Sequence, residues 1–286
     1  MDINDKILNI GVVGLGLIGG SFGRAVLKKT QHQVFGRDLN PKTVSAAKLV
    51  KAISGELTDV LLPELDILVF ALNPRTVVQQ LNEYLPLLKP GCIVTDVGGN
   101  KRNVAAAMKK ASENYPALQF IGAHPMAGKE FSGLSHSSAA LFEGASILLV
   151  PVNASLNAIT EYKKLLSGIG FKNCKVTSAA EHDKMIAYTS QLCHVISSCY
   201  CLNSLSEAHD GFSAGSFRDL TRVARLSAPM WTELFCDNAD NLSAALDEFI
   251  AQISALKQAI EARDEAAVRE ILSSANAKKE AMDKIK

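Results

Sequence analysis

Short apolar runs alternate with helical patterns along the first 177 residues of this chain. Residues 8–13 predict a buried strand, and residues 21–29 predict a helix that turns Phe22, Ala25 and Val26 inward. Further buried strands are predicted at residues 33–36, 67–72, 92–95, 119–121, 146–150 and 175–177. Short apolar strands separated by helices are typical of a parallel, doubly wound α/β sheet.

The pattern changes after Ser178, where proline becomes scarce and long helical periodicities begin. Residues 242–262 carry an apolar stripe at helical spacing, made of Leu246, Phe249, Ile250, Ile253, Leu256 and Ile260. We therefore expect a Rossmann-type α/β domain over residues 1–177 and an all-α domain over residues 178–286. The stripe predicts a homodimer interface, although a monomeric core would give the same pattern.

Composition limits the class of protein. The 286 residues are 48% hydrophobic and 21% charged, which suffices for one large or two ordinary domains. A net charge of +1 does not indicate binding to nucleic acid or to an anionic membrane surface. The acidic N-terminus does not resemble a secretory signal, and no apolar run approaches the ~18 residues of a membrane span. We expect a cytoplasmic protein.

Six cysteines occur without a C-x-x-C spacing, so we expect reduced thiols and no metal site. Cys199 and Cys201 lie near His194 in sequence, but no second ligand pair accompanies them.

A glycine-rich turn joins the first strand to the first helix. Gly14 permits a tight turn, Gly16 lets the backbone approach a phosphate, and Gly19 allows close packing of helix and strand. The N–H groups at the start of the helix are then available to an anion, and Leu17 and Ile18 in the turn are expected at the cofactor. This context predicts a dinucleotide site.

Asp38 follows the second strand, 19 residues after Gly19 by subtraction of the residue numbers. A carboxylate there binds a ribose 2′-hydroxyl, which favours NAD over NADP. Arg37 could hold a 2′-phosphate, but Asp38 would repel that group. Alternatively, Asp38 caps the helix after Asn40.

Two polar clusters follow predicted strands, where the chemistry of such sheets is found. In the first cluster, Asp96 and Gly98 are expected at the cofactor, Gly99 lets the backbone approach its ring, and Asn100 is expected to cap the next helix. In the second cluster, His124 follows the strand that ends near Ile121. A neutral histidine there can accept a hydroxyl proton.

A third cluster lies in the helical half. Arg218 and Arg222 are spaced i, i+4, and Asp219 can pair with Arg222. The net positive charge predicts an anionic substrate. Trp231, the only tryptophan, indicates burial beside this cluster.

Together these motifs resemble the prephenate dehydrogenase family, which includes arogenate dehydrogenases. The resemblance rests on residues 14–19, 95–98 with Lys101, 124–128, 181–183, and 217–222 with Trp231. It implies oxidative decarboxylation of prephenate to 4-hydroxyphenylpyruvate in tyrosine biosynthesis. Hydride passes from the ring carbon that bears the hydroxyl to NAD, carbon dioxide leaves, and the ring becomes aromatic.

The resemblance also implies residue roles. His124 accepts the bond from the ring hydroxyl, Arg222 binds the ring carboxylate, and His194 contacts the side-chain end of the substrate. Glu130 and Asp219 order Arg222 and the pocket entrance.

The chain departs from the family pattern at three positions. Gly99, at the substrate site, replaces a serine whose hydroxyl would help bind the ring hydroxyl, so His124 is expected to act with Asn100, water or backbone. Gln191 replaces the first histidine of a Ser-His-x-x-His pattern, and Lys129 replaces a small hydroxyl residue. Lys129 could touch a substrate carboxylate.

Three alternatives stay open. Arogenate could be the substrate, a β-hydroxy acid could be oxidised with Lys184 as acid/base, or the chain could be an NAD-binding sensor without turnover.

Overall fold

The computed structural model describes residues 6–284. The strands are β1 Asn9–Val13, β2 Gln33–Arg37, β3 Gly55–Glu56, β4 Ile67–Phe70, β5 Ile93–Asp96, β6 Gln119–Pro125, β7 Ser146–Asn153 and β8 Asn173–Val176. The helices are α1 Leu17–Lys29, α2 Pro41–Leu49, α3 Pro74–Tyr84, α4 Arg102–Asn114, α5 Leu156–Gly168, α6 Ala179–Ile186, α7 Leu192–Cys201, α8 Gly215–Thr221, α9 Ala228–Asp237, α10 Ala239–Glu261 and α11 Glu265–Asp283. The N-terminal residues 1–5, on which the argument against a secretory signal depends, lie outside the described residues.

The eight strands form one sheet in the order β3-β2-β1-β4-β5-β6-β7-β8. The order from β3 to β6 is that of a Rossmann-type sheet, and all of these strands are parallel. The predicted doubly wound fold is thus confirmed, with one correction. β7 runs antiparallel to β6, because residues 126–145 contain only a short 3₁₀ turn and no crossover helix.

Apolar residues of the strands cover both faces of the sheet. Val12 and Val69 belong to one buried cluster, whereas Val13 and Phe70 belong to the cluster on the opposite face. Successive side chains of a strand point to opposite faces, so fully apolar strands are expected in a sheet with helices on both sides.

β6 is longer than predicted. It continues past Ile121 to Pro125, because β7 pairs with it through His124 opposite Leu148 and Pro125 opposite Ile147. His124 therefore lies in a paired strand instead of a loop, and its backbone position is fixed by the sheet.

The structure divides into two compact units, one ending at Asn238 and the other beginning at Ala239. Helices α6 to α9 belong to the first unit with the sheet. Between α6 and α7, residues Ala187–Gln191 form a π-helical stretch, a feature that often marks functional positions in helices.

The second unit consists of α10 and α11, which contact each other and are joined by a short turn. Asp264 caps α11 by accepting the Ala267 N–H at 3.0 Å. The side chains of Ile250, Ile253 and Ile260 are more than half exposed, so much of the apolar stripe is uncovered in a single chain.

Candidate active site

Glycines shape the turn that follows β1. Gly14 has a φ of +91°, and a Cβ there would lie 2.5 Å from the carbonyl oxygen of Ala71. A Cβ on Gly19 would lie 1.9 Å from the carbonyl oxygen of Gly14, so α1 can pack here only without a side chain. At Gly16, the N-cap of α1, nothing lies within 4 Å of a Cβ and no side chain caps the helix. A pyrophosphate fits this open helix N-terminus.

Asp38 lies just beyond β2 and is bonded to the backbone on two sides. Its carboxylate accepts the N–H of Leu15 at 2.9 Å and the N–H of Asn40 at 2.9 Å. The cap of α2 is Asn40, so the alternative role of Asp38 as that cap is wrong. Arg37 donates to Asp59 at 2.6 Å, which ties its guanidinium to a neighbouring carboxylate.

The turn after β5 contains a buried ion pair. Asp96 and Lys101 are both fully buried and joined by a salt bridge. The same oxygen of Asp96 accepts the Gly98 N–H at 2.9 Å. Two buried charges are tolerated because each is paired with the other. This carboxylate therefore holds the turn in its shape.

The N-terminus of α4 is capped by a residue far along the chain. Asp183, on α6, accepts the N–H of Lys101 at 2.8 Å and that of Arg102 at 3.0 Å. The prediction that Asn100 caps this helix is wrong, because its side-chain amide donates instead to the carbonyl of Leu234 at 2.8 Å. A charged carboxylate at a helix N-terminus also interacts favourably with the helix dipole.

Buried amides surround Gly99. The Gln191 amide donates to Asn100 at 3.0 Å and to the carbonyl of Leu234 at 3.1 Å, and it accepts from Asn238 at 2.8 Å. A Cβ on Gly99 would lie 3.1 Å from Cδ2 of Leu234. The side chain of Leu234 therefore limits the space that a serine would need at position 99.

His124 begins a chain of hydrogen bonds into the protein. Its Nδ1 lies 2.9 Å from Nε2 of His182, and Nδ1 of His182 lies 2.7 Å from Oδ1 of Asp183. His182 and Asp183 are buried, whereas His124 keeps partial exposure. The Nε2 end of His124 is the part of the ring that these bonds leave available to a ligand.

The environment keeps both histidines neutral. Burial, followed by the neighbouring His182 and the charge of Lys101, lowers the pKa of His124 well below its ordinary value. Burial also lowers the pKa of His182, although the bond to Asp183 opposes this. Burial alone would raise the pKa of Asp183, but its bonds from His182 and two backbone N–H groups lower it. The arrangement is therefore a neutral imidazole pair ending on a carboxylate.

The cationic cluster of the helical half is exposed. Arg218, Asp219 and Arg222 all lie at the surface, and Trp231 is only half-buried, so the prediction of burial beside Trp231 is wrong. Arg222 forms its ion pair with Glu130, from the segment after β6, instead of Asp219. The pKa of Glu130 is lowered, first by a hydrogen bond from its own backbone N–H and second by the hydrogen bond from Arg222.

His194 stacks on the ring of Trp231, with centroids 3.7 Å apart and planes 28° from parallel. Nδ1 of His194 donates to the carbonyl of Ser190 at 2.9 Å, which leaves Nε2 as an acceptor. Burial first, and then the charge of Arg222, lowers the pKa of His194. Lys129 donates to the carbonyl of His136 at 3.2 Å.

Residues 181–183 stood out in the sequence only as part of a motif, and no role was predicted for His182 or Asp183. A signal was present, because Ser178 caps α6 and places His182, Asp183 and Ile186 on one helix face, all buried. A histidine and a carboxylate on an inward face indicate bonding partners inside the protein. Lys184, the acid/base candidate for a β-hydroxy-acid dehydrogenase, is exposed.

Among residues 6–284, no group of three or more His, Cys, Asp or Glu side chains could hold a metal ion. Over the same range, no helix combines the length and the apolar character that crossing a membrane requires.

Two family models match almost the whole chain. Residues 22–175 match the model described as "Prephenate dehydrogenase, nucleotide-binding domain". Residues 178–274 match the model described as "Prephenate dehydrogenase, dimerization domain".

Curated relatives show the same likeness. A cyclohexadienyl dehydrogenase of Zymomonas mobilis is 30% identical over 90% of this chain and 89% of its own length. A prephenate dehydrogenase of Bacillus subtilis is 29% identical over 92% of this chain and 72% of its own length.

A solved structure shows the same fold. The Aquifex aeolicus prephenate dehydrogenase, crystallised with hydroxyphenyl propionate and NAD⁺, superposes with a TM-score of 0.83 at 24% identity, covering 97% of this chain and 99% of its own.

Proposed function

The chain belongs to the prephenate dehydrogenase family, and we propose that it oxidises prephenate with NAD, releasing carbon dioxide and 4-hydroxyphenylpyruvate. It is an NAD-dependent oxidoreductase of tyrosine biosynthesis. The observation that carries the proposal is the neutral imidazole of His124, held in a paired strand at the carboxyl edge of the sheet.

The glycine turn fits NAD. Its residues 14–19 combine a positive φ, a glycine that meets the backbone, and an uncapped helix N-terminus. We assign cofactor binding to Gly14, Gly16, Leu17, Ile18, Gly19, Arg37, Asp38, Asp96 and Gly98, of which Asp96 acts through the turn that it holds. When bound, NAD supplies the hydride acceptor. The part of Asp96 is to hold the turn at Gly98, since its carboxylate already bonds Lys101 and that N–H.

His124 acts as the base for the ring hydroxyl. A base must be unprotonated at working pH, and the lowered pKa of His124 provides this. No serine hydroxyl assists His124 at position 99, where this chain has Gly99.

The anionic end of the substrate faces cations. Arg222 binds the ring carboxylate, and Glu130 orients Arg222 through their ion pair. His194 is assigned to the side-chain end of the substrate, Lys129 to a substrate carboxylate, and Asp219 to the pocket entrance. The exposure of Arg222 leaves its guanidinium accessible to an entering dianion.

The experiment that tests the function is NADH formation by the purified chain with prephenate and arogenate in parallel, each with NAD and NADP. Turnover with prephenate and NAD supports the proposal. Turnover with arogenate alone would show that arogenate, the amino analogue of prephenate, is the substrate. No turnover in any combination would contradict the proposed reaction and favour the NAD-binding sensor or the β-hydroxy-acid dehydrogenase.

The assembly is proposed to be a homodimer through the helical half. The match to a family model described as a dimerization domain supports this, as do the exposed Ile250, Ile253 and Ile260. We also propose that the cofactor-binding domain ends at residue 177, that the substrate-binding and dimerisation domain begins at residue 178, and that the protein is cytoplasmic.

A further inference from the structure

We propose that His182 and Asp183 are positioning residues, which fix the tautomer of His124 and hold its proton during part of each turnover. This inference rests on the proposed role of His124 as the base. It adds two residues of α6, a helix for which no function was predicted, to the groups that act on that base.

The direction of the hydrogen bonds follows from the carboxylate. An ionised carboxylate can only accept, so Nδ1 of His182 must donate to Asp183 across 2.7 Å. Neutral His182 therefore has an unprotonated Nε2. This Nε2 can accept but cannot donate, and the nitrogen that faces it at 2.9 Å is Nδ1 of His124.

The consequence for His124 is a single tautomer. Its Nδ1 carries the proton, and its Nε2 carries the free lone pair. Nε2 is the ring nitrogen that the chain of bonds leaves open to a ligand, so the base presents its acceptor to the substrate hydroxyl without rotating.

Asp183 is itself held in place. Its two oxygens accept the N–H groups of Lys101 and Arg102 at 2.8 and 3.0 Å, at the start of α4. These donors keep the carboxylate ionised and stop it from turning away from His182. The backbone at the start of α4 thus sets the tautomer of His124 through Asp183 and His182.

The same bonds can hold the proton. The hydroxyl O–H bond breaks and an N–H bond forms at Nε2 of His124 as hydride leaves the ring carbon for NAD. The Nδ1 proton of His124 then moves to Nε2 of His182, which places the positive charge beside Asp183. When carbon dioxide leaves, the electron pair of the broken C–C bond reaches the ring oxygen, and the protons return so that this oxygen becomes a phenol.

No proton has to reach water during this series of steps. Prephenate and NAD⁺ give the product, carbon dioxide and NADH with no proton left over, because the ring oxygen loses and regains one. A closed chain of bonds therefore suffices, which agrees with the burial of His182 and Asp183. A base that discharged its proton to solvent would need an exposed partner.

The first test is the tautomer itself, read from the ring nitrogens in NMR spectra of the full chain labelled with ¹⁵N-histidine. We expect the His124 signals to show a protonated Nδ1 and a bare Nε2. His124→Asn identifies those signals, and His209→Gln is the control for loss of an exposed histidine. A protonated Nε2 in the neutral wild-type ring would overturn the inference.

The second test compares two replacements of His182. Gln can accept from His124 but cannot take its proton, whereas Leu can do neither. We expect His182→Leu to move the proton of His124 to Nε2 and to lower kcat by about 10²–10⁴-fold, as loss of an orienting partner does in hydrolase triads. His182→Gln should keep the tautomer and lose about tenfold in kcat, at the low end for proton-transfer assistance. KM for the substrate should change little in either.

Wild-type kcat in both variants, or an equal loss in both with the tautomer of His124 unchanged, would overturn the inference. If His182→Leu does not fold, as thermal unfolding would show, the wild-type spectrum and His182→Gln still decide. Failure of the proposed function looks different, because the wild-type chain would then form no NADH from prephenate. Failure of the base assignment would show as full activity in His124→Asn. Neither result depends on the tautomer.

Discussion

The two ends of the proposed substrate site are built in opposite ways. His124 lies in a paired strand, and its ring is bonded to a buried histidine and carboxylate. Arg222 lies just after the short helix α8, with its guanidinium largely exposed and one carboxylate partner, Glu130. The end assigned to proton transfer is rigid, while the end assigned to carboxylate binding is accessible. Errors of placement cost more in proton transfer than in charge attraction, because a hydrogen bond depends steeply on distance and angle.

The largest effect is expected from the rigid end. His124→Asn removes the base but keeps a polar side chain of smaller size. We expect kcat to fall by ~10²- to 10⁴-fold, the usual contribution of a positioned general base. NAD affinity, measured by titration of protein fluorescence, should not change. Full activity in this variant would contradict the assignment of the base.

The buried ion pair of the rigid end provides a test of stability. Lys101→Met leaves Asp96 buried without its partner, and we expect the free energy of unfolding to fall by about 3–5 kcal/mol in urea titrations. The matched control is Lys164→Met, which breaks the exposed pair with Glu161 and should cost about 0–1 kcal/mol. Equal losses in the two variants would contradict the difference between buried and exposed pairs.

At the accessible end, Arg222→Gln should act mainly on substrate binding. Loss of a charged hydrogen bond to the ring carboxylate is expected to raise KM about tenfold or more, from ~1.5–3 kcal/mol of interaction. Glu130→Gln keeps the guanidinium but weakens its orientation, so a smaller rise is expected. Steady-state kinetics with varied prephenate measures both, and an unchanged KM in Arg222→Gln would contradict the carboxylate contact.

The smallest effect is a displacement of the pH profile. Because the pKa of His124 is lowered, kcat/KM should stay constant below pH 6.5, the ordinary value, and fall only as the pH drops through the lowered pKa. The same group links pH to stability. In the unfolded chain His124 binds a proton near its ordinary pKa. The stability that comes from keeping His124 neutral in the folded chain is therefore complete above that pKa and is lost as the pH falls below it. An acid limb at the ordinary histidine pKa would contradict the effect of burial.

Local patterns were enough to predict the elements around the cofactor. The glycine turn, the strands on either side of it and Asp38 are set by residues near one another in sequence, so periodicity and spacing locate them. The antiparallel direction of β7 could not be read in this way, because apolar strands look alike in either direction. The connection without a crossover helix was the available signal.

The features that could not be predicted depend on contacts between segments that are distant in sequence. Asp183 caps a helix whose first residue lies 81 positions earlier, and Arg222 pairs with a carboxylate 92 positions away. Helical spacing predicted Asp219 as the partner of Arg222 because only local pairs are visible in a sequence. Glu130 was linked to Arg222 only by the family resemblance. The burial expected beside Trp231 was wrong for a similar reason, since a large aromatic side chain does not reveal what covers it.

The capping of α4 by Asp183 also bears on how such proteins can be recombined. A cut after residue 177 separates α4 from the carboxylate that caps it and His124 from its bonded partner, although that point lies between two matched family segments. The compact unit formed by the structure extends instead to Asn238. Exchange of segments between relatives at the boundary of this unit, after Asn238, would therefore keep these bonded partners within one parent.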